Sequence, residues 1–204
     1  MRPLSRPSLV FTLGTMIPRY FQPPPPLLMP SIDAFFAPTF DRLPSRLRDA
    51  ITEAPLPSLA TGPHVTALAD VLQKPTTLQV SSGGEDDSPL PSLALSGLWL
   101  LAGDLDRSHT ISQDDSSAAG SFWHGIMHRR EGDYSNAGYW FRRVGSHPVV
   151  NDLAGRYADD YGDPYRFINA VETACKKRDA DRMARLQQIQ WTEWQLLLQD
   201  CMLA

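Results

Sequence analysis

From residue 92 onward, apolar side chains recur every three to four positions, the period of an amphipathic helix. In residues 92–103, Leu95, Leu98, Trp99 and Ala102 share a face and Gly103 supplies the stop. Asp104 is placed to cap a second helix over 104–113. After a polar loop, two more helices are predicted near 121–130 and 135–144, with Gly132 and Asp133 as the turn and Gly145 and Pro148 as the stop. Another helix falls within 149–160. Pro164 then opens one whose buried stripe is Phe167, Ile168, Val171 and Cys175. The last helix, about 179–203, spreads Met183, Leu186, Ile189, Trp191, Trp194, Leu197, Leu198 and Cys201 over a broad face, as expected of a helix packed against several neighbours. No β-hairpin signal follows Pro91, so the fold class expected is all-α.

The pattern before residue 92 is different. Sixteen of the 18 prolines lie at or before Pro91, and a ring that removes a donor and clashes with the preceding turn excludes long helices there. Residues 1–44 read as a disordered, proline-rich leader, with the tract QPPPPLLMP favouring an extended polyproline conformation. Residues 45–91 read as short helices and an acidic loop packed on the main body. Leu47 and Ile51 mark one helix, with Ser45 as its cap, and Val65, Leu68, Val71 and Leu72 mark another. Residues 92–204 form the α-helical domain.

Charge narrows the partners. A net charge of -4 and a pI near 5.7 argue against nucleic acid and against a membrane-attracted surface, so an anionic partner has to be met locally. Cys175 and Cys201 have no metal-type spacing and suggest a reduced compartment. No apolar run approaches the ~18 residues of a membrane span. The expected location is cytoplasmic, with the alternative that Arg2, Arg6, Arg19 and the apolar run after Leu9 form an organelle-targeting leader.

Residues 121–148 resemble one tetratricopeptide-type unit: Gly125 in the first helix, the Gly132-Asp133-Tyr134 turn, then Ala137, Phe141 and the closing Pro148. The turn recurs at Gly103-Asp104-Leu105, 29 residues earlier rather than the usual ~34, and no third copy follows. The resemblance therefore implies degenerate tetratricopeptide-like hairpins or a closed bundle. More broadly, SHTISQ, HGIMHRREGDYSNAGYWFRRVGSHP and IQWTEWQLLLQDC resemble a family of uncharacterised bacterial and fungal proteins, over residues 98–204. That resemblance implies no reaction and transfers no catalytic residue.

The chemistry is concentrated in the same hairpin. His124, His128 and Glu131 fall on one helix face by their spacings of four and three. Two imidazoles four apart can share a metal, yet HGIMH lacks the glutamate of the zinc-protease motif, so a third ligand has to come from elsewhere, with Asp106 and His109 as candidates. The leading expectation is no cofactor and structural histidines. A divalent metal is the minor alternative, with His124, His128 and Asp106 as ligands, followed by acid–base chemistry through His109, His124, His128 and Glu131. Arg129, Arg130, Arg142 and Arg143 end two helices, where cations suit the dipole, and their guanidinium forks could instead grip a carboxylate or phosphate beside Trp123 and Tyr139. Two functions stay open: a helical-repeat-like module binding a protein or acidic peptide, and a small metal-dependent enzyme or anion-binding bundle built on the His/Glu/Arg cluster.

Overall fold

The computed structural model describes residues 31–74, 79–80 and 88–204, and within them the protein is all-α. The helices are α1 (Ala37–Asp41), α2 (Ser45–Glu53), α3 (Thr66–Leu72), α4 (Ser92–Leu101), α5 (Leu105–Gln113), α6 (Ala118–Glu131), α7 (Tyr134–Val144), α8 (Pro148–Arg156), α9 (Pro164–Lys177) and α10 (Ala180–Leu203). The strands among the described residues, β1 (Gln79–Val80) and β2 (Ser88–Pro89), form a two-residue antiparallel ladder pairing Gln79 with Pro89 and Val80 with Ser88. None of the described helices is long and apolar enough to cross a membrane.

Local sequence explains the helix starts. Asp104, Asp133, Asp163 and Asp179 each accept a backbone N–H of the first turn, and Pro148 and Pro164 occupy opening positions where a missing N–H does no harm. Ser45 is not the cap expected of it. Helix α2 begins after Pro44, whose side chain offers no acceptor. Gly132 ends α6 at φ +84°, a left-handed conformation that a side chain would oppose, and Asp133 N donates back to His128 O at 3.0 Å. Gly125 has a different task. A Cβ there would lie 2.9 Å from the Phe141 ring, so its absence lets α6 and α7 close on each other.

Helix α10 is the axis of the fold, packed by α4, α8 and α9 and buried at every position from Ile189 to Leu198. A helix buried on all sides has to satisfy its polar side chains internally. Gln190 donates to the carbonyls of Pro57 and Ser58, Thr192 meets the Tyr157 hydroxyl at 2.8 Å, and Trp194 Nε1 donates to Gly97 O at 2.7 Å. Gln195 exchanges two hydrogen bonds with Asp33, and Trp191 Nε1 donates to Ser31 O.

Those last contacts correct the expected boundary of the leader. Residues 31–44 pack into the same core as α10: Phe36 is fully buried edge-on to Trp194, and Phe40 and Leu43 are buried beside it. The aromatic spacing of Phe36 and Phe40 over Pro38 is a helical one, masked in the sequence by the surrounding prolines. The tract QPPPPLLMP, the targeting expectation and most of the acidic loop lie outside the described residues.

Candidate functional site

Helices α5 and α6 bring three imidazoles together. His124 and His128 stand one turn apart on α6, with ring centroids 4.8 Å apart, and His109 of α5 lies edge-on to both at 4.6 and 5.6 Å. One ring nitrogen from each falls within 4.8 Å of the other two. His124 and His128 are buried and His109 is half-buried. Rotation of α5 decides which of its residues joins them. Leu105, Ser108 and Ser112 face inward, which carries His109 toward α6 and leaves Asp106 in solvent. Asp106, expected as a metal ligand, therefore stands apart from the cluster, and His109 takes that place.

The surroundings differ from ring to ring. His128 Nδ1 lies 3.0 Å from Glu131 Oε2 and its Nε2 lies 3.0 Å from the Asn136 amide nitrogen. Glu131 accepts the Nδ1 proton, which leaves the Nε2 lone pair in the ring plane, while the amide nitrogen, also 3.5 Å from Nδ1, lies over the ring face. His124 stacks on Trp140 of α7, and its Nδ1 is buried with no hydrogen-bond partner among the described residues. Burial, followed by the charges of His128 and His109 when protonated, lowers the His124 pKa to about 4, while the Ser112 backbone nearby partly opposes the shift. Burial also lowers the pKa of His128 and Glu131 acts against it. At neutral pH His124 and His128 are accordingly uncharged, with lone pairs available.

The arginines divide into two classes. Arg129 is fully buried: it forms a two-pronged ion pair with Glu193 of α10, donates to Gln190 Oε1 at 3.2 Å and lies over the Phe167 ring. Arg130, 2% exposed, donates to the carbonyls of Ala60, Thr61 and Leu100, tying the 57–61 segment to the last turn of α4. Burial and the neighbouring Arg129 charge lower its pKa to about 10. The terminal nitrogens of both guanidinium groups are committed to protein acceptors, and the one unpaired nitrogen, Arg129 Nε, is buried, so the anion-binding role expected of them has no accessible fork to use. Trp123 is fully buried as well, which removes it from any ligand surface. Arg142 and Arg143 are exposed on the last turn of α7, over Tyr139 and Trp140. Tyr139 is the aromatic of the expected set that faces solvent.

Asn136 and Trp140 complete the environment of the histidines. Asn136 was not among the residues singled out in sequence, although the α6–α7 turn is a signal for it: a tight hairpin centred on Gly132 sets position 136 against position 128. Beside Glu131 and Asp106 lies an open depression of about 390 Å³, reaching Thr61 and His64. Cys175 and Cys201 are free thiols and take no part in the cluster.

Comparison of the chain with family models, with curated proteins and with solved structures finds no match, so no activity passes to it by likeness.

Proposed function

We propose that the protein is a ligand-binding helical bundle whose working site is the His109–His124–His128 cluster, framed by Glu131, Asn136 and Trp140. The observation that carries this reading is the buried His124 Nδ1 without a hydrogen-bond partner, on a ring that burial keeps uncharged and that converges with His109 and His128. A polar atom buried without a partner costs about 1–3 kcal/mol. Histidines serving only to fill space would be replaced by apolar rings at a gain. Of the buried atoms without a partner among the described residues, Trp123 Nε1, His124 Nδ1, Arg129 Nε and Tyr161 OH, His124 Nδ1 is the one that belongs to a cluster of potential ligand groups.

Stability of the His124→Phe variant tests it. Phenylalanine keeps a ring against Trp140 and removes the unsatisfied nitrogen, so the urea midpoint should equal or exceed that of the unsubstituted protein. A loss above about 1 kcal/mol would mean that the imidazole is a structural group whose bonds the fold needs.

A second reading, a module for a protein or an acidic peptide, draws on a separate place. Between α9 and the start of α10 runs a groove of about 500 Å³ lined by Arg166, Lys177 and Arg182, the last of them ion-paired with Asp160, together with Asp179, Asn169 and Thr173. Binding of a fluorescent oligoglutamate peptide that is lost in Lys177→Glu supports this reading. Equal binding to both proteins removes it.

A further inference from the structure

We propose that His109, His124 and His128 are the protein ligands of a zinc-class divalent transition ion, with the fourth coordination position left open to water or an exogenous ligand. The inference rests on the reading of the cluster as a ligand site and names what occupies it.

Donor type sets the class of ion. Three imidazole nitrogens suit zinc, copper, nickel or cobalt, whereas magnesium and calcium require oxygen donors. Among the described residues, this is the place where three potential ligand atoms of His, Cys, Asp or Glu converge. Neighbouring carboxylates are placed around the set rather than in it: Glu131 is held on His128 Nδ1 and Asp106 faces solvent.

Geometry makes closure feasible. Bonds of about 2.0–2.1 Å at tetrahedral angles put ligand nitrogens about 3.3 Å apart. The present separations reach 4.8 Å, so the rings have to draw in by roughly 1.5 Å at the widest point, a side-chain rotation rather than a helix movement. His124 and His128, four apart on a rigid helix, provide a preformed pair. His109, half-buried, is the ring with room to swing onto the ion and marks the side from which the ion enters.

The outer contacts fit the same assignment. An ion-binding histidine ordinarily donates its other ring N–H to a carboxylate, which fixes the tautomer and raises the basicity of the coordinating nitrogen. Glu131 stands where that carboxylate belongs, leaving Nε2 of His128 for the ion. The Asn136 amide nitrogen, 3.0 Å from Nε2 and 3.5 Å from Nδ1, lies over the face of the His128 ring and leaves the in-plane lone pair of Nε2 clear for an ion.

Titration of the tag-free full chain with Co2+ tests the proposal, read by the intensity of the visible d–d bands and by quenching of tryptophan fluorescence. The expected result is a stoichiometric, intense four-coordinate spectrum that Zn2+ bleaches, with quenching reduced in Trp140→Phe. His109→Ala, at a half-buried position that leaves the α6 pair in place, should abolish the four-coordinate bands. Glu131→Gln should weaken binding about tenfold. A weak six-coordinate spectrum, no spectrum, or bands that persist in His109→Ala would each overturn the assignment. Absence of Co2+ binding in a protein whose His124→Phe variant is as stable as the original would remove the ion and leave the ligand site standing. The same absence with a destabilised His124→Phe would remove both.

Discussion

His124 lies face to face with Trp140, their ring centroids 3.9 Å apart and their planes 19° from parallel. The stack joins α6 to α7 and covers one face of the imidazole. It also sets a fluorophore beside the proposed ligand nitrogens, so events at the cluster are readable without a label.

Acid should destabilise the protein through this cluster. The folded protein holds His124 near pKa 4 against an ordinary 6.5. Between those values the unfolded chain binds a proton that the folded chain refuses, so stability is full above about pH 6.5 and declines as the pH falls toward 4. His124 alone accounts for about 3 kcal/mol of that decline. His128, faced by Glu131 and His109, and His147, faced by Asp200, have pKa values lowered in the same direction. Urea unfolding across this range should give a clear slope that flattens in His124→Phe; an unchanged slope in that variant would show that His124 titrates normally.

Much of this fold is written in the local period. The spacing of Leu95, Leu98 and Trp99 and the Gly132-Asp133 turn define α4 and the α6–α7 hairpin before any long-range contact is considered. Spacing also placed His124, His128 and Glu131 on one face. It could not decide between Asp106 and His109, because that depends on how α5 is rotated against α6. Nor could it show that Arg129 is consumed by Glu193, a partner 64 residues away. The polar–apolar pattern made Arg129 and Arg130 look like surface cations ending a helix, whereas α10 and the 57–61 segment bury both side chains. The order of residues 31–44 was hidden for a related reason: Phe36 and Phe40 earn their helix from Trp194 and Gln195 rather than from local propensity.

The Arg129–Glu193 pair should be costly to break and cheap to replace. Both side chains are fully buried, so Glu193→Gln leaves a desolvated guanidinium without its counter-charge, and the loss should be about 3–5 kcal/mol. In Arg129→Met/Glu193→Leu no charge remains to be compensated, and the double variant should unfold at a higher urea concentration than Glu193→Gln. A double variant no more stable than the single would contradict this account of the pair.

Residues 31–44 should behave as core. Phe36→Ala removes a ring packed against Phe40 and Trp194 at centroid distances of 6.0 Å, with an expected loss of about 3–5 kcal/mol in thermal or urea unfolding. A loss below 1 kcal/mol would return the segment to the leader assigned from sequence.

The central claim, that the three histidines receive a divalent transition ion, is tested most directly by the melting temperature of the tag-free protein with Zn2+ and with a chelator, beside His109→Ala. An ion that binds the folded state stabilises it by about 2.7 kcal/mol at a hundredfold excess over its dissociation constant. The melting temperature should therefore rise with Zn2+, fall back with the chelator, and stay unchanged in His109→Ala. A melting temperature indifferent to Zn2+, or an equal rise in His109→Ala, would contradict it.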